Sequence, residues 1–176
     1  MGEALSRLLQ AIRFQRDAFV WMDFNDRATG DAMLFVGVTR VLILLGAGWS
    51  ILGLTTSTSG IELLITALIN AVIFWLAYSG LAYATVRFLF QKGGSYPVYL
   101  RMTGFAYPTL LLVIFTGRLG LADTAGLTLG AIWFMAIVAR GITYESDLPT
   151  ARAAIAAVLA FIGWIVVESI LGNGVI

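Results

Sequence analysis

The sequence predicts an all-α, polytopic membrane helix bundle with about five transmembrane helices and an N-terminal amphipathic interfacial helix. Apolar residues make up 60% of the 176 residues and charged residues only 12%, whereas soluble domains average ~45–50% and ~25%. A soluble domain of this size could not bury that much apolar surface, because its outer face must be polar. Five apolar stretches are also long enough to cross the hydrocarbon core, which needs roughly 20 helical residues.

Hydropathy divides the chain into a cytoplasmic N-terminal segment, residues 1–31, and a transmembrane domain, residues 32–176. The predicted spans lie at about 34–54, 61–88, 100–117, 121–139 and 149–171. The second is longer than a bilayer is thick, so we expect it to tilt or to project from the membrane.

Local signals mark where some of these helices begin or bend. Ser59 and Glu62 have the S-x-x-E spacing of a capping box at the start of the second span. Asp147 is the predicted cap of the fifth span. Pro108 interrupts the third span, where the lost backbone hydrogen bond predicts a kink.

The distribution of Lys and Arg predicts the orientation. One basic residue, Arg118, lies in the third link, and Arg40 lies inside the first span. The other nine lie in the N-terminal segment and in the second and fourth links: Arg7, Arg13, Arg16, Arg27, Arg87, Lys92, Arg101, Arg140 and Arg152. The positive-inside rule therefore predicts that the N-terminus lies in the cytoplasm and the C-terminus outside. The membrane itself is predicted to be the cell (inner) membrane. A re-entrant hairpin in place of spans three and four would leave the same loops on the same faces.

The N-terminal segment has the pattern of a helix that lies in the membrane plane. Its apolar face comprises Leu5, Leu8, Leu9, Ile12, Phe19 and Val20. Arg16 intrudes on that face and could snorkel, and Trp21 is a predicted aromatic anchor. Such a helix prefers anionic lipid, although it could instead pack on the protein's own cytoplasmic loops.

Three polar residues within the spans are candidates for chemistry, because charge there is costly and usually functional. Arg40 lies about two turns from the predicted cytoplasmic end, so snorkelling or pairing with Asp31 or Glu145 is the favoured interpretation. Asn70 is expected to form an interhelical hydrogen bond. Glu168 is expected to reach the outer interface or to be protonated.

The sequence predicts no catalytic, cofactor or metal site. Histidine and cysteine are both absent, which excludes thiolate catalysis, Cys-zinc sites and imidazole bases or ligands. The cluster Asp23, Asp26 and Asp31 lacks the glycine and glutamate of a calcium loop, so a solvated acidic linker is favoured. Gly93-Gly94 is interpreted as a turn, because no Walker lysine follows. A net charge of +1 does not indicate nucleic-acid binding.

Gly126 and Gly130 form a GxxxG motif in the fourth span. Small residues at this spacing let helix backbones approach closely in lipid. We favour packing of this motif within the bundle over a dedicated dimer interface. Pro108 is likewise predicted to be a helix-packing residue.

The stretch Arg87–Ile114, RFLFQKGGSYPVYLRMTGFAYPTLLLVI, resembles the bacterial branch of the YIP (Ypt-interacting protein) domain family. The similar features are a Gly-Gly loop, an amphipathic stretch and a Gly-aromatic run that leads to a proline in the third span: Gly93, Gly94, Tyr99, Arg101, Gly104, Phe105 and Pro108. The Asp-Leu-Tyr-Gly-Pro motif of eukaryotic members is absent, so their association with Rab-type GTPases is not carried over. The resemblance implies a membrane-organising or partner-binding protein without known catalysis.

The leading hypothesis is therefore a non-enzymatic adaptor, scaffold or accessory subunit of a larger membrane complex. It would act through the cytoplasmic helix, the Asp23–Asp31 linker and the Lys92–Arg101 loop. The predicted contacts with a protein partner or lipid are Arg7, Arg13, Arg16, Trp21, Asp26, Arg40, Lys92 and Arg101.

The alternative hypothesis is a small transporter or channel, in which Arg40, Asn70, Glu168 and the Pro108 kink line a path at the bundle centre. It predicts that these residues converge on one cavity. An enzyme ranks third, because the sequence contains no recognisable nucleophile–base pair.

Overall fold

The computed structural model describes residues 2–47, 60–119 and 123–171, and it confirms the predicted all-α architecture. Its helices are α1 (Gly2–Ile12), α2 (Arg16–Phe24), α3 (Ala28–Ala47), α4 (Gly60–Ala84), α5 (Tyr96–Ala106), α6 (Leu112–Arg118), α7 (Asp123–Ser146) and α8 (Thr150–Leu171). A π-helical turn, Thr85–Leu89, extends α4, and a 3₁₀ turn, Tyr107–Leu111, joins α5 to α6.

Five helical segments are long and apolar enough to cross a membrane, so the chain is a multi-pass membrane protein. They are Ala28–Gly46, Gly60–Leu89, Tyr96–Thr116, Thr124–Ser146 and Thr150–Ile170. The second has 30 residues, about 45 Å of helix against a hydrocarbon core of about 30 Å. This length agrees with the predicted tilt or projection.

Two helices continue beyond the predicted spans. The helix of the first span begins at Ala28, before residue 34, and that of the fourth continues to Ser146, beyond residue 139. Hydropathy falls at Asp31 and Arg140, but helical hydrogen bonding continues past them. Helix α3 packs against α5, and α7 packs against α2 and α5, which supports these extra turns.

The segment formed by α5 and α6 is the centre of the bundle. It is the most buried of the five spans, at 61%, whereas the others range from 28% to 44%. It packs against α3, α4 and α7, and its N-terminal end carries α1 and α2. Its sequence explains this position, because Arg101, Thr103 and Thr109 would be costly on a lipid-facing surface.

The chain tightens into the 3₁₀ turn at Pro108. Proline lacks the N–H that would bond to the Gly104 carbonyl, and its ring would clash with that carbonyl in an α-helix. The Thr109 hydroxyl donates to the Ala106 carbonyl at 2.8 Å and approaches the Gly130 carbonyl at 3.3 Å. The predicted interruption of the third span is therefore present, as a change of helix type over five residues.

The single N-terminal helix predicted from the sequence is wrong, since two helices form. The chain breaks between Ile12 and Arg16, where Phe14 adopts a φ of 59°. The break turns Leu8 and Phe19 into the hydrophobic core but leaves Leu5 exposed. The predicted apolar face is thus divided between the protein's own core and its surface.

Two predicted helix caps have different outcomes. Asp147 does not cap α8, because it follows the last residue of α7 at a φ of 50° and α8 begins three residues later, at Thr150. Ser59, half of the predicted capping box, lies outside the described residues.

Candidate functional site

Arg101 joins the N-terminal part of the chain to the central helix. Its guanidinium donates to the carbonyls of Met22 and Asp23, at 2.8 and 3.1 Å, and to the Thr29 hydroxyl at 2.9 Å. It also forms a 2.6 Å salt bridge with Asp26. These bonds fix the α2–α3 connection against the first turns of α5, where the planar guanidinium serves several acceptors at once.

This arrangement revises two predictions. Arg101 is buried, with its hydrogen-bonding capacity directed inward, so it is not free to contact a protein partner or lipid. The acidic linker is not merely solvated either, since Asp26 is exposed but pairs with Arg101.

Further polar contacts hold the same end of the bundle together. The Ser95 backbone N–H donates to the Glu145 carboxylate at 3.0 Å. The Tyr99 and Ser146 hydroxyls lie 2.9 Å apart. Arg140 lies over the Tyr144 ring, 4.8 Å from its centroid. The last turns of α7 therefore bind the loop before α5 as well as α5 itself.

The remaining predicted contact residues lie at or near the surface. Arg13, Arg16 and Lys92 are exposed. Arg7 donates to Gln10 at 3.0 Å and lies 5.8 Å from the centroid of the partly buried Trp21 ring. This end of the molecule presents cations outward while its interior is fixed by hydrogen bonds.

A cavity of about 370 Å³ lies within the spanning helices, in the size range of small-molecule sites. Most of its lining is apolar, with contributions from α3, α4, α7, α8 and the 3₁₀ turn. The lining residues are Arg40, Ile43, Asn70, Ala71, Phe74, Tyr107, Leu110, Leu127, Thr128, Ala131, Ile132, Met135 and Phe161.

Arg40 is the charged group of this cavity. It is only 5% exposed, and its Nε atom has no hydrogen-bond partner among the described residues. Tyr107 lines the same cavity. No carboxylate belongs to the described lining. The cavity therefore combines an apolar wall with a guanidinium whose charge that wall does not balance.

The predicted pairing of Arg40 is wrong, whereas its snorkelling stays a prediction. The helix begins at Ala28, which places Arg40 about 18 Å along the axis, and its side chain is buried in the bundle. No salt bridge of Arg40 with Asp31 or Glu145 is present, and Glu145 accepts from Ser95 instead.

The cavity contains only some of the residues that the transport hypothesis predicted together. Arg40 and Asn70 both line it, whereas Glu168 and Pro108 do not. Sequence reasoning missed Tyr107 and Thr128, which are polar lining residues. Tyr107 directly precedes Pro108, but nothing in the sequence indicates that it lies near Arg40.

A shallow groove runs along the outer face of α3. Its lining residues are Gly30, Met33, Leu34, Gly37, Val38, Val41, Leu42 and, from α4, Leu68. The α3 residues recur at helical spacing and form one continuous stripe. Gly30 and Gly37 differ from most spanning glycines, because a Cβ atom on either would meet nothing within 4 Å.

Gly126 and Gly130, in contrast, lie against other helices of the same chain. A Cβ on Gly126 would lie 2.7 Å from Val113 Cα, and one on Gly130 would lie 3.1 Å from the Thr109 carbonyl oxygen. These glycines let α7 approach α6 and the 3₁₀ turn closely.

Within the described ranges, no group of three or more His, Cys, Asp or Glu residues could hold a metal ion. Comparison of the chain with protein-family models, curated proteins and solved structures finds no match. The resemblance to the YIP domain family therefore remains a prediction.

Proposed function

We propose that the protein is a non-enzymatic adaptor or accessory subunit, YIP-like in type, that binds another membrane protein in the bacterial inner membrane. The observation that carries this proposal is the groove on α3, where a Cβ atom on Gly30 or Gly37 would meet no described residue within 4 Å. A transmembrane helix of the partner occupies this groove.

The reason lies in what drives helix association in lipid. The hydrophobic effect is weak between helices there, so close packing over small residues supplies much of the attraction. Gly104, Gly126 and Gly130 are already packed within the chain. Gly30 and Gly37 have the same small-residue character on an open surface, flanked by exposed Met33 and Val38. A partner helix could therefore approach α3 closely at this stripe.

The basic end of the molecule supports the same proposal. Leu5 and Leu9 are exposed on α1, and Phe24 is exposed at the end of α2. Together with Arg13 and Arg16 they form a surface suited to an anionic cytoplasmic leaflet. Contact with that leaflet would fix the orientation of α3 in the bilayer, so that its groove faces a partner helix.

Crosslinking tests the groove directly, because the chain contains no native cysteine. Val38→Cys lies in the groove, and Ile155→Cys lies on the lipid-facing surface of α8; the two positions are 55% and 51% exposed. In native membranes, we expect a cysteine-reactive crosslinker to join Val38→Cys to one discrete partner. Equal products from Ile155→Cys would contradict the proposal.

A substitution that fills the groove provides the second test. Gly37→Leu adds bulk at a position where a Cβ atom meets no described residue within 4 Å, so we expect the fold to be retained and the partner helix to be displaced. We expect the crosslinked partner to decrease at least fivefold. Ala154→Leu adds the same bulk to an exposed position on α8 and should leave the crosslink unchanged. An undiminished crosslink with Gly37→Leu would contradict the proposed occupant.

The proposal also includes the orientation, with the N-terminus and basic loops in the cytoplasm. Lys92→Cys and Leu119→Cys are exposed positions in consecutive links. In intact spheroplasts, a membrane-impermeant maleimide should label Leu119→Cys, and it should label Lys92→Cys only after lysis. The reverse pattern would invert the topology.

A transporter is the second candidate, because Arg40 and Asn70 lie in one intramembrane cavity. If it is correct, Arg40→Ala should abolish flux in proteoliposomes. Glu168→Gln should not, because Glu168 lies outside the cavity lining. Failure of the wild-type protein to move any tested solute would leave the adaptor function alone.

A further inference from the structure

We propose that the intramembrane cavity binds an anionic amphiphile, with a carboxylate or phosphate group paired to Arg40 and an apolar tail against the surrounding helices. This site is separate from the α3 groove. It requires neither partner binding nor transport.

Arg40 carries a charge whose burial is energetically costly. A guanidinium remains protonated at any physiological pH, and burial of its charge without an opposite charge is costly. Arg40 is only 5% exposed, and its Nε atom has no hydrogen-bond partner among the described residues. The hydroxyl of Tyr107 is neutral and cannot balance the charge. An oxyanion in the cavity would supply the missing opposite charge.

The counter-ion of Arg40 does not come from the described lining. The described cavity lining contains no Asp or Glu. Four carboxylates lie within the described spans, and none of them belongs to the lining: Asp31, Glu62, Glu145 and Glu168. Glu145 accepts from the Ser95 N–H instead. The described lining therefore provides a cation but no counter-ion of its own.

The rest of the cavity wall is apolar, and part of it faces the lipid. Ile43, Phe74 and Leu110 make it apolar near Arg40, which suits a hydrocarbon tail rather than a small hydrated ion. Leu127 and Ile132 belong to the lining and are also exposed on the lipid-facing surface of α7. A molecule dissolved in the bilayer could therefore enter from the side, with its head directed toward Arg40.

Binding assays in nanodiscs of neutral phosphatidylcholine test the site. The probes are radiolabelled oleate, 1-oleoyl-lysophosphatidate and the uncharged oleyl alcohol, with acetate and inorganic phosphate as head-only competitors. We expect saturable binding of at least one charged amphiphile, at least tenfold tighter than that of oleyl alcohol. Oleate and lysophosphatidate distinguish a free acid from a lipid phosphate. Equal affinity for oleyl alcohol, or effective competition by the head-only anions, would overturn the proposal.

Two variants test the charge of Arg40 and the volume of the cavity separately. Arg40→Gln should weaken binding of the charged amphiphile at least tenfold and remove the preference over oleyl alcohol. Ala131→Phe fills the cavity while retaining Arg40, so it should weaken binding of all amphiphiles; Ala154→Phe on the exposed surface of α8 is its control. If Arg40→Gln retains the preference, or if Ala131→Phe binds as wild type does, the proposed site is wrong.

Discussion

Arg40 and Arg101 are equally buried, at 5% exposure each, but their surroundings differ. Arg101 lies at the basic end of the bundle, where two backbone carbonyls, a hydroxyl and a carboxylate accept from it. Arg40 lies in the cavity, where its Nε atom has no partner in the described part of the chain. The comparison teaches that burial alone does not identify a functional charge; what matters is whether the fold itself satisfies it.

The same difference extends to the glycines of the two regions. At the basic end, Gly104 packs so closely on α3 that a Cβ would lie 3.0 Å from Ala32 Cα. In the groove of α3, Gly37 meets nothing within 4 Å. The basic end is closed by its own contacts, whereas the cavity leaves a charge unbalanced and the separate groove leaves a helix surface open. We therefore propose that the basic end contributes stability, and that the cavity and the groove bind other molecules.

The largest expected effect is that of Arg101→Met. It removes four hydrogen bonds, including the ion pair, and leaves the Met22 and Asp23 carbonyls without their donor. We expect a loss of about 3 kcal/mol or more, and a corresponding fall in Tm of roughly 6–12 °C. Thermal unfolding followed by circular dichroism in detergent measures it. Arg101→Lys should recover little, because an ammonium cannot serve this planar set of acceptors. An unchanged Tm would contradict the structural role of Arg101.

Gly104→Ala tests the closed packing of the same region. The added methyl group would lie 2.5 Å from Ala32 Cβ and 3.0 Å from Ala32 Cα, so we expect a loss of about 1–3 kcal/mol. Gly37→Ala is the matched control; it has space for the methyl group, and removal of glycine from a helix favours folding by up to about 1 kcal/mol. Equal Tm values for the two variants would contradict the distinction between closed and open helix surfaces.

Arg40→Met should have an opposite and smaller effect. In the ligand-free protein it removes a buried charge that the cavity does not balance, so we expect stabilisation by roughly 1–2 kcal/mol and a rise in Tm of a few degrees. The same substitution at Arg101 is its control, with the opposite sign. A lower Tm for ligand-free Arg40→Met would mean that the fold satisfies Arg40 after all.

Much of the fold follows from composition and hydropathy, but its boundaries do not. A stretch of about 20 apolar residues must be helical in lipid, because its backbone groups have no other partner there. Pro108 similarly predicts a break wherever the third span lies. The end of α7 at Ser146 was missed, because its last turns are held by contacts with the distant α2 and the loop before α5. Hydropathy does not register such contacts.

The candidate sites show the same division more sharply. Arg40 and Asn70 could be selected from sequence, since polar side chains within a span are unusual. Their convergence with Tyr107 could not, because these residues lie on separate helices whose rotation depends on packing. Arg101 was misassigned to partner contact, since its sequence neighbourhood gives no sign of the acceptors near Met22.

The sequence by itself determined that the helices lie in a lipid bilayer, how many apolar helices there are and which types of residue are available for chemistry. These properties depend on composition and local periodicity. The tertiary structure alone decided which buried arginine is satisfied and which glycines remain open. Those outcomes depend on atoms brought together from distant parts of the chain, and a hydrogen bond or a close helix contact exists only once they meet.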